Sequence, residues 1–254
     1  MTMSADACSF RRFVTRAEAA AAPDEVWTAA LELARENGFA RLSYLHHDPA
    51  APEVSGLSFA SGFDPDWIRA YLAEDLARVD PVPWTAMNAA EPFRWTRVGE
   101  LRALSQAESQ FMARFRAAGG GDGVAVPVFG PRQRRGYVGI GHDAVAAPAE
   151  PADAPGDRET PERLRLLQAA FQIAHLCVCR LLDARLPSPP TLSGREREVL
   201  AWMARGKSNP AIAGILGCSA HTVDTHVRRL YAKLDVGDRI TCVVRAAGLG
   251  LVAA

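Results

Sequence analysis

Lysine is almost missing from this chain: among 29 basic residues only Lys207 and Lys233 are lysines, and the rest are arginine. A phosphoacceptor receiver holds its phosphoryl group with a lysine, so the lack of any before Lys207 argues against that class. Long hydrophobic runs are missing too. No 18 consecutive apolar residues occur, and the start, MTMSADACSFRRF, has no apolar signal-peptide core. The expectation is a soluble, cytoplasmic protein with no membrane partner. Net charge is absent, with 29 basic residues against 29 acidic, so no overall field draws the chain onto nucleic acid. The five cysteines are odd in number and scattered, which excludes a disulfide framework and reads as reduced, structural thiols.

Catalytic and metal-binding patterns are equally hard to find. His46 and His47 are adjacent on an expected strand and face opposite ways. Cys177 and Cys179 stand two apart on an expected helix and point in different directions. His142 has Asp143 beside it but no nearby nucleophile, and Cys8 falls in a start expected to be disordered. The run GGGDG at 119–123 lacks the following G-K-[ST] of a phosphate loop and reads as a hinge or turn. The chain is expected to be no enzyme and to carry no metal or cofactor.

What is present divides the chain. A length of 254 residues suggests one large and one small domain, and a hydrophobic content of 48% can fill real cores. Residues 191–254 hold nine basic and five acidic residues, a balance of +4; the rest hold 20 and 24, a balance of −4. Pro187, Pro189 and Pro190 form an extended, semi-rigid linker between them. The expected division is a domain over 1–186, a linker over 187–191 and a second domain over 192–254. Upstream of the linker, helices are expected over Pro23–Asn37, from Asp64 to about Leu76, over Ser105–Ala118 and over Thr160–Leu186. Strands are expected over Arg41–His46 and Leu57–Ser61, with a hairpin of Val124–Phe129 and Gly136–Ile140; Pro148–Pro161 reads as a loop. That order suggests an α/β/α sandwich around one antiparallel sheet, followed by an all-α domain.

The all-α part is the most legible. Ser193 and Glu196 form an S-x-x-E capping box, and Ser208, Ser219 and Asp238 stand where three more helices need N-caps. Gly206, Gly217 and Gly248 punctuate the ends. Two helices joined by Gly217-Cys218-Ser219 make a helix-turn-helix, whose second helix enters the DNA major groove. On that helix Val223, Val227, Leu230 and Leu234 form one apolar stripe. His221, Asp224, Thr225 and Arg228 lie opposite it, with Arg229 and Lys233 beside them. An ordinary surface helix is also polar outside; the small or hydrogen-bonding first turns followed by Arg228 and Arg229 favour base reading and phosphate clamping. The block resembles the DNA-binding domain of LuxR-type regulators, through L-S-x-R-E, E-V-L-x-W-x-A-x-G-K-S-N, I-A-x-I-L, T-V-x-x-H and K-L-x-V. In that family Glu196, Leu200 and Gly206 occupy hallmark positions. The candidate DNA-binding residues are Lys207, Ser208, His221, Thr222, Asp224, Thr225, Arg228, Arg229 and Lys233; Arg228 and Thr225 are expected to read bases, and Lys207, Arg229 and Lys233 to touch phosphates.

Upstream, Phe63, Trp67 and Tyr71 share a helical face, followed by D80-P-V-P-W84 and F93-R-W95. An aromatic core face with an Asp-Pro turn is the plain reading; a ligand pocket with a few polar anchors is the other. A carboxylate amid such rings needs a donor, from a backbone cap or from a ligand N–H. The spacing W-x-x-x-Y, then Asp80-Pro, Trp95 and Gly123, resembles the acyl-homoserine-lactone-binding domain of quorum-sensing LuxR-type receptors. The resemblance implies that Trp67 donates to a lactone carbonyl and Asp80 accepts the ligand amide N–H. It further implies that Tyr71 and Trp95 pack on the ligand and that Gly123 leaves room in the wall. Many members place tyrosine where Phe63 stands and serine near Gly139; Tyr137 or Ser43 replaces those hydroxyls if its strand faces the pocket. Otherwise the acyl group differs, or the regulator binds a non-lactone compound or none. Leu45, Leu57 and Phe59 look bulky for an acyl tunnel and lean toward a short or flat group.

The implied partners are double-stranded DNA with a two-fold symmetric operator, a small-molecule autoinducer, a second copy of the chain and RNA polymerase. Leu164, Leu167, Phe171, Ala174 and Val178 recur at helical spacing and offer a face that could pair between copies.

Overall fold

The computed structural model describes residues 5–49, 55–121, 123–142, 160–184 and 190–252. Most of the expected 148–161 loop, Asp143 and the linker residues Pro187–Pro189 lie outside that range. Contacts divide the chain into two compact units. The first takes Met1–His47, Val54–Gly130 and Arg134–Arg185; the second takes Leu186–Ala254 with the short segments Asp48–Glu53 and Pro131–Gln133.

The first unit is built on five antiparallel strands: β1 (Arg41–His47), β2 (Gly56–Ser61), β3 (Phe93–Arg94), β4 (Gly123–Phe129) and β5 (Arg135–Gly141), in the order β2-β1-β5-β4-β3. Alternation along the strands sends the two sets of side chains to opposite faces. Leu42, Tyr44, Val124, Val126, Val128, Val138 and Ile140 face a dry core under α1 (Ala5–Ala19), α2 (Pro23–Glu36) and α7 (Pro161–Asp183). There Trp27 stacks on Tyr44 with ring centroids 4.0 Å apart. Leu45, Ala125 and Tyr137 face the other way, into a second core with residues of α3 (Pro65–Ala73), α4 (Pro81–Met87), α5 (Val98–Leu101) and α6 (Gln106–Ala117). This is an α/β/α sandwich.

Several elements depart from expectation. The start is helical: Phe13 and Ala17, one turn apart on α1, are buried, and Cys8 sits exposed on the same helix. Helix α3 stops at Ala73, and Leu76–Arg78 is a separate 3-10 turn entered through Asp75 in the left-handed region. Helix α4 and strand β3 were not anticipated, because DPVPW carries two prolines that read as turn signals. Here Pro81 occupies the first helical turn, where its missing N–H costs nothing. Helix α7 is long and apolar enough to cross a membrane by length and composition alone. Its Leu167, Ala170, Phe171, Ala174 and Val178 are instead packed in the dry core of this unit. The face expected to pair between copies is thus largely consumed inside one chain.

The second unit is α8 (Gly194–Ala204), α9 (Asn209–Leu216), α10 (Ala220–Leu234) and α11 (Arg239–Gly248) around Leu200, Met203, Ile212, Leu230 and Cys242. Ser193 and Glu196 complete the capping box; Ser219 accepts from the Thr222 N–H and Asp238 from the Thr241 N–H. Ser208 has N-cap backbone geometry, but its side chain makes no capping bond. Gly217 ends α9 in the left-handed conformation, φ 63°, which opens the turn into α10. At the far end Gly248 is still helical, and the left-handed residue is Gly250.

Phe171 is fully buried between α7 and the sheet, so Phe171→Ala should cost about 3–5 kcal/mol by leaving a cavity. Denaturant unfolding of the variant, followed by tryptophan fluorescence, checks this.

Candidate ligand pocket and nucleic-acid interface

On the second face of the sheet, α3, α4, α6, β1 and β5 line a small cavity with about 50 Å³ of room for water-sized molecules. Its walls include Ser43, Phe63, Trp67, Tyr71, Asp80, Trp95 and Tyr137, seven of the eight residues expected. Gly123 does not line it. A Cβ there would stand 2.4 Å from the Trp95 ring and 2.5 Å from the Ile140 carbonyl, so Gly123 makes room for the indole that does. Ile68, Val82, Pro83, Phe111 and Phe115 complete the wall with Leu45. Phe111 and Phe115 were missed, although their i, i+4 spacing on α6 marks one apolar face. Their rings lie 5.8 and 5.3 Å from Trp67. Phe59 is no part of the cavity: it faces the dry core, and the side chain of Leu57 lies outside the described residues.

Asp80 holds two positions at once. Its Oδ1 accepts the Val82 N–H at 2.9 Å and caps α4, while Oδ2 accepts the Tyr71 O–H at 3.0 Å. The same side chain therefore caps α4 and lines the cavity. The residue is half-buried in the cavity wall. Burial pushes its pKa up to about 7 against the pull of the Val82 and Tyr71 donors. Burial and the neighbouring Asp80 charge also hold the Tyr71 hydroxyl firmly protonated, so it remains a donor.

Opposite Asp80 the strands supply hydroxyls. Ser43 on β1 pairs in register with Gly139 on β5, and Tyr137 is two residues before Gly139 on the same face. A Cβ at Gly139 would lie 2.3 Å from the Tyr137 hydroxyl and 2.7 Å from the Ser43 hydroxyl. With no side chain there, the phenol lies over the glycine with its hydroxyl near that of Ser43. The Trp95 indole N–H is buried near the same phenol without reaching good hydrogen-bond geometry. Phe63, which carries no hydroxyl, lies under the Arg41 guanidinium, 5.5 Å from ring centroid to Cζ.

In the second unit the stripe Val223, Val227, Leu230 and Leu234 is buried, and His221, Thr222, Arg228, Arg229 and Lys207 are exposed. Two expected contacts are otherwise engaged. The Lys233 ammonium donates to the buried Glu196 carboxylate at 2.7 Å and to the Thr191 carbonyl at 3.0 Å. Asp224 is half-buried and accepts from the Asn209 amide at 2.6 Å; Asn209 in turn accepts from Arg239 at 2.9 Å, and Arg239 also donates to the Lys207 carbonyl. These links tie α9 to α10 and α11, so Asp224 and Lys233 hold the unit together. Thr225 is half-buried, its hydroxyl turned back to the His221 carbonyl at 3.0 Å.

Two family models match the chain: one described as the autoinducer binding domain over residues 22–178, the other as bacterial regulatory proteins of the luxR family over residues 190–246. The chain is a LuxR-family regulator. It is 29% identical over 199 residues to the HTH-type quorum sensing-dependent transcriptional regulator RpaR of Rhodopseudomonas palustris, covering 77% of this chain and 75% of that protein. It is 24% identical over 231 residues to the transcriptional activator protein AnoR of Acinetobacter nosocomialis, covering 90% and 92%. The crystal structure of Escherichia coli SdiA shares the fold, with a TM-score of 0.69 at 21% identity over 95% of this chain and 97% of that one. In this LuxR-family chain the cavity lies in the autoinducer-binding part and α10 in the DNA-binding part.

The two lysines should separate cleanly. Lys233→Ala leaves the Glu196 carboxylate only its capping-box donor and should cost about 1–2 kcal/mol of stability, the exposed ammonium being partly screened. Lys207→Ala should leave stability unchanged and lower the slope of log affinity against log salt by roughly one unit. Denaturant melts and DNA binding at several salt concentrations check both.

Proposed function

We propose that this LuxR-family protein is a cytoplasmic quorum-sensing receptor for an N-acyl-homoserine lactone, with residues 1–186 as receptor domain, 187–191 as linker and 192–254 as DNA-binding domain. The observation that carries the ligand class is Asp80, a carboxylate held by α3 and α4 in the wall of an aromatic cavity. A neutral amphiphile with one amide N–H matches that wall: rings for its apolar part and a single strong acceptor for its donor. Asp80 accepts the amide N–H, Trp67 donates to the lactone carbonyl, and Tyr71 and Trp95 pack on the ligand. Tyr137, with Ser43, serves the acyl carbonyl in place of the hydroxyls missing at Phe63 and Gly139. Leu45, Phe111 and Phe115 in the wall support a short or flat acyl group. The protein binds its ligand without transforming it. It acts as a homodimer on a two-fold symmetric operator, and RNA polymerase is a partner once it is there. On DNA, Arg228 and Thr225 read bases while Lys207 and Arg229 clamp phosphates.

Arg228→Ala should weaken binding to the cognate operator by about 1–3 kcal/mol and relax specificity at one base pair. A uniform loss across operator variants would remove the base-reading role.

Two substitutions at Asp80 separate its two tasks. Asparagine is itself a good N-cap, so Asp80→Asn should barely move the unliganded melt, yet weaken lactone binding by about 1.5–3 kcal/mol through loss of a charge-assisted bond. Asp80→Ala should do both, lowering stability by about 0.5–2 kcal/mol as the cap is lost. The pH response follows from the raised pKa. The amide N–H needs an ionised acceptor, so affinity should rise roughly 25-fold from about pH 5.5 to about pH 7.5 and level off above the folded-state value. Stability of the unliganded protein runs the other way. The protonated group's contribution is full below the unfolded-state pKa of about 4 and is lost as pH rises through about 7. Calorimetric titrations and melts with a panel of acyl-homoserine lactones test this; no lactone raising the wild-type melt, or a pH profile unchanged by Asp80→Asn, would sink the lactone reading.

A further inference from the structure

A second buried polar cluster lies on the opposite face of the sheet from the cavity. His46 on β1 meets His175 and Cys179, one turn apart on α7, and all three are buried. One ring nitrogen of each histidine and the cysteine sulfur lie within 4.8 Å of one another. Sequence reading weighed His46 with His47 and Cys177 with Cys179; the fold instead joins His46 to residues about 130 positions away.

Three features go beyond ordinary packing. First, Cys179 Sγ is 3.5 Å from His175 Nε2. Two ligands on one tetrahedral ion, with bonds of about 2.3 Å to sulfur and about 2.0–2.1 Å to nitrogen, stand roughly that far apart. Second, the Tyr44 hydroxyl sits 2.7 Å from His46 Nδ1 and 2.8 Å from His175 Nδ1, the kind of outer contact that orients imidazole ligands. Third, the backbone is cut away around the cluster. A Cβ at Gly130 would lie 2.8 Å from His175 Nε2 and 2.9 Å from Cys179 Sγ, and one at Gly136 would lie 3.0 Å from His175 Nδ1.

We propose that His46, His175 and Cys179 bind one thiophilic d10 metal ion, Cu⁺ ahead of Zn²⁺. Thiolate and imidazole are soft enough to select either ion. Among the described residues no fourth histidine, cysteine or carboxylate joins the cluster, whereas zinc is almost always four-coordinate. Cu⁺ with one thiolate also sums to zero charge, which suits a site closed to water. Binding forms the Cu–S bond as the thiol proton leaves to solvent, so one proton is released per ion. The ion would staple β1 to α7 across the dry core.

The test uses the full chain carrying Cys8→Ser and Cys218→Ser, which removes the two exposed thiols. The metal-free protein is titrated anaerobically with Cu⁺ against a chromophoric Cu⁺ chelator, and in parallel with Zn²⁺. One Cu⁺ per chain is expected, with a higher melting temperature. Cys179→Ser should abolish binding, whereas Cys177→Ser should leave it intact. Tyr44→Phe keeps all three ligands and should weaken binding roughly 10–100-fold, which decides the matter if Cys179→Ser fails to fold. Binding of neither ion, binding that survives a folded Cys179→Ser, or affinity unchanged in Tyr44→Phe overturns the site; one Zn²⁺ with no Cu⁺ overturns the choice of ion.

Discussion

A single carboxylate set among aromatic rings is the constraint around which the cavity side of the first unit is arranged. An ionised group there is costly unless donors surround it. The chain supplies two, and each comes from a different element: the Val82 N–H opens α4, and the Tyr71 hydroxyl reaches across from α3. The distance between those helices is therefore fixed by what Asp80 needs. Because the same side chain caps α4, the cap that starts this helix also places the carboxylate in the cavity wall. Helix cap and cavity wall thus share one residue, whose second carboxylate oxygen carries the Tyr71 hydroxyl.

The sheet makes this possible by treating its two faces differently. Toward α1, α2 and α7 it presents valine, leucine, isoleucine and the stacked Tyr44, and the space is filled. Toward the cavity it presents Ser43, Ala125 and Gly139, which leave volume unclaimed. Gly139 shows how such space is used. A serine there would place a hydroxyl directly on the strand; without it, Tyr137 lies along the strand and brings its own hydroxyl to Ser43.

What could be read from sequence was what repeats locally. Caps, the apolar stripe of α10 and the W-x-x-x-Y face of α3 each rest on neighbours within a few positions, so spacing alone locates them. Beyond that helical face, Asp80, Trp95, Ser43 and Tyr137 were pointed to by the family resemblance, since local spacing alone favours a plain aromatic core. Longer-range partners were not legible. Lys233 finds Glu196 across 37 positions, and Tyr44 finds His175 across 131. No pattern in either segment announces the other. Helix α4 was hidden by its prolines, which mark turns as readily as helix starts, and α1 by a start whose first residues resemble no core.

The long-range pairs also change the meaning of the charge on the second unit. Its balance of +4 looks like a surface for phosphates, but Lys233 is tied to Glu196, and Arg239 to Asn209 and the Lys207 carbonyl. Those cations hold four short helices together around a small core, where each contact counts for more than it would in a large one. Among the residues expected at DNA, the free basic groups reduce to Lys207, Arg228 and Arg229. Each phosphate contact contributes a limited, salt-sensitive share of affinity, so three cations on one helix-turn-helix are few for specific binding. The proposed homodimer answers that shortage by doubling the contacts and spacing the two α10 helices to one turn of the duplex. The apolar face of α7 cannot supply the pairing surface, since it is already packed in its own chain. Pairing must then use groups that α7 leaves outside, such as the exposed Leu176, or exposed apolar positions elsewhere, such as Ile240 and Val244 on α11.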